Sequence, residues 1–527
     1  MYSSKMKLMM KRILYIIPLL VVLIANPGCK KFLNVEPVTS LSGNNYWKTA
    51  KDAEDFTKDV YRLFRTATMS NILLATGDFR NAPTKAGGTF PKRYDFDYMS
   101  GNDLKRTLAA DATRTRPGYN AELEWYQARA RYDMIPDWTP FYKVVQSANI
   151  LYKEVDRIDD PAFSDKMKKQ YRAEAVFMRC MAYFYLVRLY GDVPYYTNAY
   201  NQVPLGRTPL VTVFKSCIED LQKVKDDLPW TYKDPANRAV RAMRGSADAL
   251  MMHMNMWCAS FDPNSALTYY KAVDELGLDI ENIGMAEQGA YALLPIEQTY
   301  LVMFGRSQEG LFEIQLSSNY GEVSVDRRHK FSNSVAHLPF LTSTDRTVSE
   351  LAYRSSYMKM IYPEGATDKR KNIWFDIADI YDESGKGIIY KFFNRAAPTQ
   401  GDDDNPIIFR LADVILLHAE ALAELGGEDG RAQDLLNRIR SRAGADLFPA
   451  NPGDGKLKDA IYWERCKELM GEGHYYYDLV RTKRIMDPKY SYRPMAYSAF
   501  IAGAWTWPIA SKALTNNPYM VLNNYWQ

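Results

Sequence analysis

Apolar residues recur at helical spacing along much of this chain, most regularly between residues 409 and 481. In the first part of this segment, apolar side chains three and four positions apart form one stripe, which predicts an amphipathic α-helix. Gly426 and Gly427 are predicted to end it, because glycine readily adopts the left-handed backbone of a helix C-terminus. A second helix ends at Gly444, a third follows, and a fourth starts near His474. Four such helices joined by short loops predict a stack of antiparallel helix pairs.

The same periodicity predicts helices throughout the first half of the chain. They cover residues 49–66, 138–155, 174–190, 211–228 and 241–260. Between residues 81 and 136, Pro and Gly interrupt the pattern in a run rich in Arg, Asp and aromatic residues. Long irregular segments with many aromatic residues are often functional, so this run is predicted to be a structured loop carrying part of a binding surface.

The pattern weakens between residues 262 and 406. Residues 268–276 and 351–362 are predicted to be partly helical, and residues 310–318 alternate as a strand does. The fold expected from these patterns is mainly α: one large helical scaffold resembling tetratricopeptide repeats, with long irregular loops and minor β structure.

The N-terminus indicates a secreted protein. A basic segment up to Arg12 precedes a thirteen-residue apolar run at residues 13–25, and Gly28 and Cys29 follow it. This order is typical of a signal peptide, and the run is shorter than the roughly 20 residues of a membrane-spanning helix. Residues 1–28 are therefore predicted to be removed, leaving 29–527 as a single domain. The alternative is a single anchor helix.

Charge argues against nucleic acid as a partner. The formal net charge is +4, but the four basic residues of the predicted signal peptide account for all of it. A mature chain with balanced charge has no net attraction for polyanions.

No motif for catalysis or metal binding is present. The sequence contains no HExxH, no GxSxG and no complete phosphate-binding loop, and its five histidines lack ligand spacing. We therefore expect no enzyme activity, no metal and no cofactor; a glycosidase carboxylate pair, which is defined only in space, stays the alternative. His253 is predicted to be a core residue. His474 is predicted to start a helix, with Glu472 and Arg481 complementing the helix dipole.

The five cysteines contain no CxxC pair. Four of them, Cys180, Cys217, Cys258 and Cys466, lie inside helical patterns, where cysteine usually behaves as a small buried apolar residue. The sequence leaves open whether two of these four cysteines form a disulfide.

The segment FRLADVILLHAEALAELGG, followed by ERCKELMGEGHYYYDLVR, resembles the C-terminal signature of the SusD/RagB family. The matching residues are Arg410, Asp413, Ala419, Glu420, Glu464, Arg465, Glu468, Glu472, Gly473, His474, Asp478, Leu479 and Arg481. Three further segments resemble the same family: residues 174–194, the tail motifs WPI (Trp507–Ile509) and NP (Asn517–Pro518), and the CKKFLNVEP start of the mature chain. The family regions are expected at about residues 29–230 and 295–527.

This resemblance implies a surface lipoprotein of a bacterial outer membrane, acylated at Cys29 (with palmitate as an expected chain). Asn26 and Pro27 depart from the aliphatic residue that usually precedes such a cysteine. The family implies capture of an oligosaccharide and its delivery to a SusC-like TonB-dependent β-barrel transporter. The alternatives are a RagB-like lid that captures peptides and a helical-repeat scaffold for protein interactions.

Aromatic and forked polar side chains of the two irregular regions are predicted to bind the ligand. Aromatic faces stack on the apolar face of a sugar ring, and forked polar groups bond its hydroxyls. The candidates are Arg80, Tyr94, Tyr98, Trp125, Tyr126, Tyr291 and Tyr320.

Overall fold

The computed structural model describes residues 46–68, 75–86, 94–114, 132–316, 351–384, 387, 389–392, 405–450, 453–515 and 517–527. The α-helices of these residues are α1 (Ala50–Thr68), α2 (Tyr94–Ser100), α3 (Leu104–Arg114), α4 (Thr139–Glu154), α5 (Asp165–Tyr190), α6 (Leu210–Val224), α7 (Arg244–Phe261), α8 (Ala266–Leu278), α9 (Thr299–Phe304), α10 (Ser355–Ile361), α11 (Arg370–Trp374), α12 (Leu411–Leu425), α13 (Asp429–Ala443), α14 (Leu457–Glu468), α15 (Tyr475–Arg481) and α16 (Tyr497–Ile501). The strands are β1 (Thr84–Ala86), β2 (Gly310–Glu313), β3 (Leu351–Tyr353) and β4 (Ile407–Arg410).

The longer helices pack one against the next in a continuous order. Helix α1 contacts α4, and α4 contacts α5; the contacts continue through α6, α7 and α8 to α12, which packs on both α13 and α14. Each amphipathic helix buries its apolar stripe only against its neighbours, which is the logic of a helical-repeat scaffold. The predicted mainly α fold is confirmed.

Helix α5 is the longest helix of the described residues. Ser164 caps its first turn, where Ser164 Oγ accepts a hydrogen bond of 3.3 Å from the backbone N–H of Met167. Gly191, with φ of 73°, ends it. All residues from Ala173 to Tyr190 are buried, so this half of the helix is surrounded by protein on every side. The helix begins nine residues before the predicted start at Glu174.

Two short antiparallel sheets join distant parts of the chain. Strand β1 pairs with β3, and β2 pairs with β4. The prediction of an irregular loop over residues 81–136 is partly wrong, because strand β1 and helices α2 and α3 lie within it. Residues 351–362, predicted as partly helical, divide into strand β3 and helix α10. Short elements of this kind carry too few residues for their periodicity to show.

Within the described residues, no helix combines the length and the apolar character that crossing a bilayer requires.

The signature residues of the C-terminal segment form a buried network of ion pairs. Arg410 Nη1 lies 2.7 Å from Glu309 Oε1 and 2.8 Å from Glu468 Oε1. Its Nε lies 2.6 Å from Glu472 Oε2. Burial by itself raises the pKa of Glu468, but the neighbouring guanidinium groups of Arg442 and Arg410 hold it well below the usual range. These charges tie strand β4 to the end of helix α14.

A second part of the network joins helices α12, α14 and α15. Arg465 Nη2 lies 2.9 Å from Asp413 Oδ1, and its Nε lies 2.9 Å from Asp478 Oδ2. Arg481 lies 2.6 Å from Glu420 and 2.7 Å from Asp478. The expectation that Glu472 and Arg481 serve mainly the dipole of the last helix is therefore corrected, since both side chains are buried and form specific ion pairs.

Candidate functional site

An open cleft of about 390 Å³ lies where strand β1, helix α2 and two loops meet. Its lining residues are Lys85, Asp97, Ser100, Gly101, Arg354, Tyr492 and Arg493. The lining is mostly polar, and it combines three cationic side chains with one carboxylate and one aromatic ring. Pockets with a few convergent polar groups are the usual places for ligands to bind.

The β1–β3 pairing places two of the cationic residues side by side. Lys85 is paired with Ala352 in the antiparallel register, and Arg354 directly follows β3. The backbone N–H of Arg354 donates a 2.8 Å hydrogen bond to the carbonyl of Pro83, which continues the pairing by one step. Two residues that are distant in sequence thus emerge at the same end of a small sheet.

Asn81 holds the other wall of the cleft in place. Its Oδ1 accepts a 2.9 Å hydrogen bond from the backbone N–H of Arg493. Its Nδ2 donates to Ser491 Oγ at 2.8 Å and to the carbonyl of Arg493 at 3.2 Å. Asn81 is fully buried and adopts a φ of 53°, a conformation that asparagine tolerates better than most residues. This one side chain therefore fixes the loop that presents Tyr492 and Arg493.

The charges of the cleft are unevenly paired. Lys85 Nζ lies 2.7 Å from Glu383 Oε2, and this contact lowers the pKa of the Glu383 carboxyl. Arg354 and Arg493 make no ion pair with any residue that the structure describes; instead both lie near the ring of Tyr492, at 4.5 and 5.1 Å from its centroid. The result is a half-enclosed surface with excess positive charge.

Two of the candidate binding residues are structural, which corrects the sequence prediction. Arg80 is 1% exposed, and its guanidinium donates to the carbonyls of Trp505 at 2.7 Å and Ala504 at 2.5 Å. Tyr291 is also buried; its hydroxyl donates to the carbonyl of Trp230 at 2.9 Å and accepts from the Gly245 N–H at 3.2 Å. Because these polar groups are already bonded inside the core, neither side chain is presented to a ligand.

The other candidates are distributed as follows. Tyr98 lies in α2, half-buried, directly after the lining residue Asp97, and the Arg106 guanidinium lies 5.9 Å from its ring centroid. Tyr94 is the first residue of α2. Cys29, Trp125, Tyr126 and Tyr320 lie outside the described residues.

Sequence reasoning missed Lys85, Arg354, Tyr492 and Arg493. The sequence prediction was confined to forked polar and aromatic residues of the two irregular regions, residues 80–136 and 262–406. The segment SYRP, which contains Tyr492 and Arg493, meets the same criterion and lies between two helices. Extending the search to every connection between helices would have found these two residues.

One His/Asp group of the described residues has a geometry that could hold a metal ion: His253, Asp413 and His474, with candidate ligand atoms within 4.8 Å of one another. All three are buried, and His253 Nε2 lies 2.7 Å from Asp413 Oδ2. Asp413 is already paired with Arg465, and a divalent cation placed there would be repelled by that guanidinium. The group is better explained as a hydrogen-bonded part of the core, as the sequence predicted for His253.

The stacked helices place this chain among the mainly α, helical-repeat folds, and comparison with known proteins gives the family. The model described as "SusD family" matches residues 378–526, and the model described as "Starch-binding associating with outer membrane" matches residues 90–251. A SusD homologue of known structure from Bacteroides thetaiotaomicron is 39% identical, with a TM-score of 0.78 over 90% of this chain and 98% of that one. This chain belongs to the SusD family.

More distant relatives agree with the fold. A SusD-like protein of Formosa agariphila is 23% identical over 87% of this chain and 88% of its own length. Surface glycan-binding protein A from Bacteroides thetaiotaomicron, solved in complex with laminarihexaose, is 18% identical, with a TM-score of 0.61 over 91% of this chain and all of that one. At such low identity, the second similarity shows the fold alone.

Proposed function

We propose that this protein binds oligosaccharides at the bacterial cell surface and delivers them, without chemical change, to a SusC-like TonB-dependent transporter. Membership of the SusD family supports this function. So does the solved relative that holds laminarihexaose, although its identity to this chain is low.

The observation that carries the proposal is the cleft around Tyr492. The hydroxyl groups of a sugar both donate and accept hydrogen bonds. The cleft offers donors for them from Lys85, Arg354 and Arg493 and a carboxylate acceptor from Asp97. Its volume of about 390 Å³ is within the range of small-ligand sites.

Isothermal titration calorimetry of the purified full-length protein against neutral and acidic oligosaccharides tests this function. We expect saturable binding of at least one glycan, weakened by Asp97→Asn. Tyr497→Ala is the matched control, because Tyr497 is 70% exposed on α16 and does not line the cleft. Binding of peptides with no binding of any glycan would overturn the proposal.

The membrane-related part of the proposal rests on Cys29 and on the family. We propose that an acylated Cys29 anchors the protein to the outer membrane, since several acyl chains give stable attachment. Pull-down of the full-length protein from its native membrane in mild detergent should recover a TonB-dependent β-barrel. Recovery of the lipoprotein alone would contradict the transporter role and leave glycan binding to be judged by calorimetry.

A further inference from the structure

Among the residues that the structure describes, the lining of the cleft carries more positive charge than its own carboxylate can balance. Of its three cationic side chains, Lys85 is paired with Glu383, which lies outside the lining. Arg354 and Arg493 have no ion pair within the described residues, while the lining holds a single carboxylate, Asp97. A concave surface that carries charge of one sign raises the local concentration of oppositely charged ligands.

Tyr492 brings the two unpaired guanidinium groups together. The guanidinium carbons of Arg354 and Arg493 lie 4.5 and 5.1 Å from its ring centroid, within the range of a cation–π contact. The ring's negative face offsets part of their mutual repulsion without neutralising either charge. Tyr492 therefore acts as a positioning residue for a pair of arginines, and we do not assign it as a stacking platform for the ligand.

Arg354 also retains an unused donor. Its Nε atom is buried and has no hydrogen-bond partner among the described residues. Buried polar groups of proteins are nearly always hydrogen-bonded, and a donor left without a partner costs free energy. The Arg354 side chain is therefore incompletely satisfied where it lies, and a ligand acceptor that drew it further into the cleft would remove that cost.

We propose that this cleft selects an acidic oligosaccharide, one whose sugar carries a carboxylate that is bound by Arg354 and Arg493. This inference rests on the proposed function and narrows it to a substrate class. The planar fork of a guanidinium matches the two oxygens of a carboxylate, which gives both affinity and orientation. Asp97 also lines the cleft, and a carboxylate accepts hydrogen bonds from sugar hydroxyl groups.

The same geometry disfavours a neutral glycan as the preferred ligand. A neutral sugar would remove water from two guanidinium groups without supplying an opposite charge, and burying an unpaired charge is unfavourable. Lys85 is balanced by Glu383, whose carboxylate also accepts a hydrogen bond from the backbone N–H of Ser355 at 2.7 Å. Arg354 attracts the same carboxylate without forming an ion pair with it, so the one negative charge of Glu383 is shared between two cations. The arginine pair is thus the part of the cleft that discriminates between charged and neutral ligands.

The experiment compares acidic polysaccharides with chemically matched neutral forms. Calorimetry with the full-length protein would use oligomers of galacturonate, glucuronate and mannuronate, each beside its carboxyl-reduced counterpart, together with laminarihexaose and sulfated laminarin. We expect at least one uronate oligomer to bind about tenfold or more tightly than its reduced form, as charged hydrogen bonds imply. Its affinity should also fall as salt is raised, because exposed charges are screened.

Variants assign this preference to the arginine pair. Arg493→Gln changes an exposed side chain and is expected to fold normally while lowering affinity for the uronate about tenfold. Arg354→Gln should act in the same direction, and the double variant should bind the acidic and the reduced oligomer equally. Arg62→Gln is the matched control, since Arg62 is an exposed arginine of α1 whose partner is Asp59 at 2.7 Å.

Substitutions of Tyr492 test its role as a positioning residue. Tyr492→Phe keeps the aromatic face and should keep the preference for the acidic oligomer, whereas Tyr492→Leu should reduce the ratio of acidic to neutral affinity. A residue that only stabilised the fold would change both affinities together.

The outcomes separate the two proposals. Tight binding of a neutral glycan that is unchanged by Arg354→Gln and Arg493→Gln would overturn the acidic-ligand inference and leave the proposed function standing. Preference for sulfated laminarin over every uronate would overturn the carboxylate assignment. Failure of every glycan to bind the wild-type protein would overturn the proposed function itself.

Discussion

Gly77 packs with its Cα directly against the backbone of Gly473. A Cβ atom added to Gly77 would lie 2.3 Å from the carbonyl oxygen of Gly473, far inside van der Waals contact. The backbone N–H of Gly473 also donates to the carboxylate of Asp78. This contact joins the segment after α1 to the turn that precedes α15, and it explains why a glycine occupies position 77. Gly473 has a φ of 83°, a backbone conformation that itself favours glycine.

Replacing Gly77 by alanine should destabilise the fold. The added methyl group meets backbone, which cannot rotate away, so the two segments must separate. We expect the free energy of unfolding to fall by about 1–3 kcal/mol or more, the usual cost of overpacking. Denaturant unfolding followed by tryptophan fluorescence measures this.

Gly430→Ala is the control for that substitution. Gly430 lies in helix α13, and a Cβ there would meet nothing within 4 Å. Alanine is the better helix former by about 0.5–1 kcal/mol, so this variant should be as stable as the wild type or slightly more stable. Equal effects of the two substitutions would contradict the close contact between Gly77 and Gly473.

Glu468→Gln should cost several kcal/mol of stability. Its carboxylate lies 2.8 Å from Arg410 and 2.9 Å from Arg370, and all three side chains are buried. Removing one member of a buried ion pair leaves uncompensated charge, which typically costs about 3–5 kcal/mol. Chemical denaturation at neutral pH is the measurement.

Asp55→Asn provides the comparison for Glu468→Gln. Asp55 pairs with Lys51 on the exposed face of α1, where ion pairs contribute about 0.5 kcal/mol or less. A loss of stability from Asp55→Asn as large as that from Glu468→Gln would refute the view that burial decides the effect.

His474 should remain neutral well below the pH at which a histidine normally takes up a proton. Burial, together with nearby His253 and Arg465, lowers its pKa to about 4, although Asp413 acts in the opposite direction. NMR titration of the histidine side chains should find no protonation of His474 between pH 8 and pH 5. A midpoint near 6.5 for His474 would contradict the buried position.

The same pKa shift predicts a loss of stability in acid. Between pH 6.5 and pH 4 the unfolded chain binds a proton at His474 and the native protein does not, so this residue lowers the free energy of unfolding as pH falls. The expected loss from pH 7 to pH 5 is about 2 kcal/mol. Burial raises the pKa of Asp78 to about 7, which has the opposite effect over this range. The contribution of His474 is therefore read as the difference between wild type and His474→Gln, whose loss should be smaller.

The four internal cysteines should be unreactive in the native protein. Cys180, Cys217, Cys258 and Cys466 are all buried and unpaired, which answers the disulfide question that the sequence left open. Burial raises the pKa of Cys258 and of Cys466 to about 12, so little thiolate forms at neutral pH. In a Cys29→Ser protein, DTNB should detect no thiol until denaturant is added and then detect four. Fast labelling of one thiol without denaturant would show that its helix opens.

Local sequence patterns were sufficient for the helical scaffold. The predicted ends at Gly426 and Gly444 agree with the structure, where both residues adopt positive φ. The reason is that a helix is specified by spacing of three and four residues and by its stop signals, all within one short window. The short helices α2 and α3 were missed because Pro and Gly around them, and their small number of turns, hide that spacing.

The roles of individual polar residues required the tertiary structure. In the sequence, Arg80 looks like a binding residue because it is a forked polar side chain beside an irregular region. In the structure, its guanidinium donates to the carbonyls of Ala504 and Trp505, near the other end of the chain. The charged signature residues, such as Arg410 and Glu468, form buried ion pairs, and this role can be recognised only when their partners are known. Nothing in the local pattern distinguishes a buried charge from an exposed one when the compensating group lies far away in sequence.

The sequence by itself therefore determined the helices, their stacking and the family resemblance, because these depend on neighbouring residues and on recognisable motifs. Only the tertiary structure shows which residues form the cleft. Lys85 and Arg354 become neighbours through the β1–β3 pairing, and Arg493 joins them through the hydrogen bonds between its backbone and the Asn81 side chain. Contacts between such distant segments depend on how the whole chain closes on itself, a property that no short window of sequence contains.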